Sequence, residues 1–182
     1  MRPKSVLVFC GSRPGSSPEF MNAAKDLGEA LGQAQMRLVY GAGDVGLMGE
    51  VARAAQNSGA ETFGVIPLHL VDLEVGKTDL THYIVTETMH ERKKVMFMNT
   101  DAVVVLPGGA GSLDEFFEVL TWGQLGLHSK PIYILNTEGY WQKLIDLVDH
   151  VIAHGFADAS LKTSFRVVDT VADLMADLES DG

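Results

Sequence analysis

The strongest chemical signal in this chain is one segment, Pro107-Gly108-Gly109-Ala110-Gly111-Ser112-Leu113-Asp114-Glu115. Its three glycines expose backbone N–H groups. The helical pattern that follows adds unpaired donors and the positive end of a helix dipole. Such a loop takes a phosphate, and the Ser112 hydroxyl can join it. No Lys-Ser/Thr pair closes the segment, so it is not a Walker-type loop. Ser112-x-x-Glu115 also spells a capping box, worth about 1 kcal/mol of helix stability. On spacing alone the cap is the stronger reading of Glu115, and catalysis would compete with it for the same carboxylate.

A second signal is Met89-His90-Glu91-Arg92-Lys93-Lys94, the densest basic run of the chain. The ordinary reading of such a run is a solvated helix face. Its place just ahead of the glycine segment offers another. Arg92 could lie across a crevice mouth, neutralising a phosphate or polarising a leaving group. Gly41-x-Gly43-x-x-Gly46 matches the dinucleotide fingerprint as a string. It follows the second strand rather than the first, and Ile66-Pro67 stands where the ribose-binding acid is expected. A tight turn with close helix packing explains it at least as well. The lone Cys10 fits a small apolar residue at a strand end. The histidines form no metal-spaced cluster, so no metal is expected, and no G-x-S-x-G elbow appears, which disfavours Ser-based acyl transfer.

Charge and composition narrow the partners. Lys and Arg number 14 against 24 Asp and Glu, a formal net charge of −10. Binding to nucleic acid wants a basic stripe, so long nucleic acids and anionic membranes are poor partners. An anionic ligand would need a local positive site working against the overall field. A single cysteine excludes an internal disulfide framework. No run approaches 18 apolar residues and the first residues do not read as a secretory signal, so a soluble, cytoplasmic protein is expected. Glycine makes up 19 of 182 residues with no three-residue period. That excludes a collagen-like chain and asks for turns, or for backbone that approaches a ligand.

These residues need elements to hold them. Strands are read at Ser5 to Phe9, Met36 to Tyr40, Thr62 to Ile66, His82 to Thr86, Ala102 to Leu106, Pro131 to Leu135 and Phe165 to Val168. Helices are read after Pro18, after Gly46, and at Thr88 to Asn99, Ser112 to Leu125, Tyr140 to His154 and Thr170 to Leu178. Residues 67–80 have no clean period and read as a long functional loop. The alternation predicts an α/β fold: one domain over residues 1–182, a Rossmann-like parallel sheet with helices on both faces, in three layers. Ligands in such folds sit beyond the carboxyl ends of the strands. Glycines cluster there three times: at Gly11 and Gly15, at Gly41, Gly43 and Gly46, and at Gly108, Gly109 and Gly111. Gly11 and Ser12 are therefore assigned to the crevice with the 108–115 segment. Gly28, Gly32 and Gly123 fall inside helices and read as packing points.

Four motifs occur in order: Gly11-Ser12-Arg13-Pro14-Gly15, Met89-His90-x-Arg92-Lys93, Pro107 to Glu115, and Thr121-Trp122-x-Gln124-Leu125-Gly126. Together they resemble the Lonely Guy family, the cytokinin riboside 5′-monophosphate phosphoribohydrolases long labelled lysine decarboxylases. The likeness runs from about Ser5 to about His154. Ser112 stands where the family usually has Thr, which keeps the hydroxyl. The resemblance implies hydrolysis of the N-glycosidic bond of a purine nucleoside 5′-monophosphate, to free base and ribose 5-phosphate. It implies Arg92 and Glu115 as the catalytic pair, with Glu74, Lys93, Thr121 and the Gly109 to Glu115 loop around the nucleotide. It also implies a homodimer with the site close to the subunit contact, and no cofactor. Two alternatives stay open: a non-catalytic nucleotide or molybdenum-cofactor carrier on the same scaffold, and an NAD-dependent oxidoreductase.

Overall fold

The computed structural model describes residues 4–71, 73 and 76–180. Among the described residues, seven strands alternate with six α-helices. The strands are β1 (Ser5–Phe9), β2 (Arg37–Tyr40), β3 (Thr62–Pro67), β4 (His82–Thr86), β5 (Ala102–Val105), β6 (Ile132–Leu135) and β7 (Arg166–Val168). The helices are α1 (Pro18–Gln33), α2 (Gly46–Asn57), α3 (Met89–Met98), α4 (Ala110–Gln124), α5 (Gln142–Ala153) and α6 (Val171–Ser180). All neighbouring strands pair in parallel, in the order β4-β3-β2-β1-β5-β6-β7. The α/β architecture expected from the alternation is the one observed.

Central strands are apolar throughout because both of their faces are covered. In β1, Val6 and Val8 join a core with Leu27, Leu31 and Val51, under α1, α2 and α6. Leu7 and Phe9 face the opposite core with Phe116, Leu120 and Leu144, under α3, α4 and α5. β5 repeats the alternation with Val104 on the first face and Val103 and Val105 on the second. The helices α1 and α2 pack closely because Gly28 has no side chain. A Cβ there would stand 2.5 Å from the Val51 carbonyl oxygen and 2.8 Å from the Ala55 nitrogen.

The sheet order reverses between β1 and β5, where the connections leave in opposite directions. At such a switch point the loops beyond the strand ends diverge and open a crevice. Phe9 pairs with Val105 in register, and the Gly11 N–H donates to the Pro107 carbonyl at 3.0 Å. The two glycine segments singled out by sequence therefore leave the sheet side by side. In the 67–80 segment, Leu68–Leu70 form a 3-10 turn and Gly76 bridges to Gly43. Glu74 lies outside the described residues.

Candidate active site

A cleft of about 560 Å³ opens at the β1/β5 switch point. That volume is within the range of small-molecule sites. Gly11 and Ser12 line it from the loop after β1, Gly41 from the end of β2, and Arg92 from α3. Gly108, Gly109, Ala110, Gly111, Ser112, Asp114 and Glu115 line it from the loop after β5 and the first turns of α4. Of the thirteen sequence-assigned residues that are described, Lys93, Leu113 and Thr121 do not line this cleft.

The α4 N-terminus corrects the capping-box reading. The helix begins at Ala110, with Gly109 as its N-cap and no side-chain cap hydrogen bond. Gly109 is extended (φ −98°, ψ −153°), and its carbonyl accepts the Leu113 N–H at 3.1 Å. Ser112 is thus the third helical residue and 4% exposed, so it cannot be an N-cap. Ser112 and Glu115 are three residues apart on one helix, which puts them on one face, and both line the cleft. The box forms instead at α3. There the Thr88 hydroxyl accepts the Glu91 N–H at 3.2 Å, and the Glu91 carboxylate accepts the Thr88 N–H at 3.0 Å.

Arg92 is not on a solvated face. It is 4% exposed, its Nε donates to the Val65 carbonyl at 3.0 Å and its Nη2 to the Gly41 carbonyl at 2.7 Å. A Cβ on Gly41 would collide with that guanidinium. Gly41 is therefore glycine to admit Arg92, and Gly43 and Gly46 stand outside the cleft lining. This accounts for the fingerprint string without a dinucleotide. The buried carbonyls hold the cation rigidly, which is what an electrostatic role in a reaction requires.

Lys93 points elsewhere. Its ammonium bonds Glu118 at 2.8 Å and Asp114 at 3.1 Å, tying α3 to α4. Burial opposes its charge, but the two carboxylates outweigh that and hold its pKa above the ordinary lysine value. Of the remainder of the run, His90, Glu91 and Lys94 are exposed, while Met89 is half-buried and lines the cleft. Among the described residues no group of three or more His, Cys, Asp or Glu could hold a metal ion.

Among the cleft residues that carry no sequence assignment are Phe20, Met48 and Tyr140. Phe20 reads as one more apolar position of α1, and Tyr140 as the first residue of a helix. Nothing in their spacing distinguishes them from packing residues; only the meeting of distant loops does.

The fold is shared with known structures. The molybdenum cofactor carrier protein from Chlamydomonas reinhardtii superposes with a TM-score of 0.73 at 21% identity, covering 98% of each chain, a likeness that bears on the fold alone. The family model described as "Possible lysine decarboxylase" matches residues 48–178. The cytokinin riboside 5′-monophosphate phosphoribohydrolase of Rhodococcoides fascians is 40% identical over 179 residues, covering 98% of this chain and 90% of its own. The enzyme of the same name designated LOG5 from Arabidopsis thaliana is 38% identical, covering 98% of this chain and 78% of its own. With the family model spanning the glycine segment and α4, and the relatives matched over nearly the whole chain, this chain belongs to the cytokinin riboside 5′-monophosphate phosphoribohydrolase family.

Proposed function

We propose that this chain hydrolyses the N-glycosidic bond of purine nucleoside 5′-monophosphates, AMP or a cytokinin riboside 5′-monophosphate, to free base and ribose 5-phosphate. One observation carries the reading beyond the relatives' names. Glu115, Arg92 and the uncapped start of α4 face one cleft, while the capping box that would have occupied a glutamate forms on another helix.

The chemistry needs three things, each with a residue to supply it. Breaking the C1′–N bond builds positive charge on the sugar, as at an oxocarbenium-like transition state. The Glu115 carboxylate stabilises that charge and takes a proton from the attacking water. The hydroxyl of that water goes to C1′, and a proton returns to the purine nitrogen. The departing base gathers electron density, and the fixed Arg92 guanidinium offsets it. The 5′-phosphate docks on the N–H groups of Gly109 to Ser112 and holds C1′ against Glu115, so remote binding lowers the barrier. Gly109 and Gly111 support that docking. A Cβ at either would meet open space, so no neighbour in the fold explains the missing side chain.

The carrier reading has no comparable support: a carrier has no need of a carboxylate and a fixed cation on the same cleft. The homodimer belongs to this proposal. Met98 at the end of α3, and Leu125 and Leu127 after α4, are each 69% exposed, apolar surface that a second copy would cover. Lys93 and Thr121, on those same helices, would then lie near the subunit contact.

The test is incubation with a panel of purine nucleoside monophosphates, followed by chromatography for free base and ribose 5-phosphate. Equimolar release of the two is expected. Tight binding with no release from any member would instead fit the carrier.

A further inference from the structure

The turn between β6 and α5 is built at a cost. Glu138 has φ 53° and ψ 25°, and Gly139 follows with φ 69°. A left-handed conformation is unfavourable for a residue with a Cβ, and persists only where its surroundings impose it. Here they do. The buried Asn136 side chain accepts the Trp141 N–H at 2.8 Å, and the Asn136 N–H donates to the Val168 carbonyl at 2.8 Å. The Tyr140 N–H donates to the Thr137 carbonyl at 3.1 Å. The product of this turn is one placement: the Tyr140 hydroxyl donates to the Gly108 carbonyl at 2.6 Å.

We propose that Tyr140 is a positioning residue for the phosphate loop, acting through Gly108. A trans peptide is a rigid plane with its oxygen and its hydrogen on opposite edges. Fixing the Gly108 oxygen therefore fixes the direction of the Gly109 N–H, the first donor of the proposed anion site. The neighbouring carbonyls have backbone partners: Pro107 takes the Gly11 N–H and Gly109 takes the Leu113 N–H. The Gly108 carbonyl takes a side chain instead. A glycine pair has the broadest backbone freedom in the chain, so this is where an external restraint matters most.

The tyrosine is itself braced. Its ring meets Phe20 edge to face at 5.4 Å and Trp141 at 4.8 Å. Phe20 in turn packs under Gly15 (φ +77°), where a Cβ would stand 2.6 Å from its ring. Gly15, Phe20, Tyr140 and Gly108 thus form a chain of contacts joining the loop after β1 to the loop after β5, alongside their direct Gly11–Pro107 bond.

The inference rests on the proposed function in that the ligand is taken to carry a phosphate. Its test does not require turnover. Calorimetric titration gives the Kd of ribose 5-phosphate and of adenine for the wild type and for Tyr140→Phe, which keeps the ring and its packing. Ribose 5-phosphate should bind about tenfold more weakly to the variant, the size expected for one lost hydrogen bond, with adenine unchanged. Phe20→Leu, which loosens the brace and leaves the hydroxyl, should show a smaller loss of the same kind. Equal weakening of both ligands would make Tyr140 a general packing residue and overturn the proposal. So would unchanged ribose 5-phosphate binding in both variants. A wild type that binds ribose 5-phosphate in a Tyr140-dependent way yet releases no base would refute the proposed reaction and leave this inference standing.

Discussion

The chain writes the same pattern, a hydroxyl residue three before a glutamate, at the start of two adjacent helices, Thr88-x-x-Glu91 on α3 and Ser112-x-x-Glu115 on α4. At α3 the string closes as a capping box and its glutamate satisfies backbone donors. At α4 it does not, because the helix begins at Ala110, two residues before the serine. What precedes each string makes the difference. Thr88 is extended (φ −127°, ψ 159°) and can turn its hydroxyl onto the first turn. Ser112 is already helical, and its hydroxyl crowds the Cα of Gly108 so closely that a Cβ there would overlap it. One glutamate serves the fold; the other is turned to the cleft, beside a helix start that no side chain caps.

Breaking each half of this comparison should give opposite signatures. The largest effect is expected from Glu115→Gln. Loss of the carboxylate charge should lower kcat on AMP by about 100-fold or more while the melting temperature stays put. A modest stability loss with turnover intact would restore the capping role. Next comes Gly109→Ala at the α4 N-cap. A methyl in the open space where a phosphate would approach should reduce kcat/KM by roughly 10- to 100-fold, the range for bonds to a charged group, with a stability loss in denaturant of no more than about 1 kcal/mol, since alanine caps a helix less well than glycine. Lys93→Met removes the tie between the two helices and should cost about 1–2 kcal/mol at neutral pH. Because the folded-state pKa of Lys93 is raised, its contribution is complete below the ordinary lysine value and fades as pH climbs through the folded value. The gap in melting temperature between wild type and variant should hold from about pH 6 to 9 and close above about pH 10.4. Smallest is Thr88→Ala, about 1 kcal/mol of stability by urea titration, with kcat on AMP within about twofold of wild type.

Most of the fold was legible because each element carries its own period and punctuation. Pro18 opens α1 and the AVVV run of β5 has no other comfortable conformation than a strand buried on both faces. The start of α4 was not legible in the same way. Gly-Gly-Ala-Gly is poor helix sequence, so propensity delays the helix to Ser112, whereas packing of Gly108 between Gly11 and Ser112 starts it at Ala110. Arg92 hides behind its neighbours for a similar reason. A run of Arg-Lys-Lys reads as solvated, and the carbonyls that bury Arg92 come from Val65 and Gly41, 27 and 51 residues away. The glycine segment stood out in the sequence as the proposed anion site because three glycines before a helix have few other uses. Tyr140 was not, since its role depends on a carbonyl 32 residues distant.

In the proposed reaction the α4 N-terminus holds a 5′-phosphate so that Glu115 can act at C1′. This is tested most directly by the ratio of kcat/KM for AMP to that for adenosine, which differ only in that phosphate. Adenine release from AMP is expected with a ratio of at least about 100, because the phosphate's binding energy is used to hold C1′ in place. Equal cleavage of the two, or cleavage of neither, would contradict it.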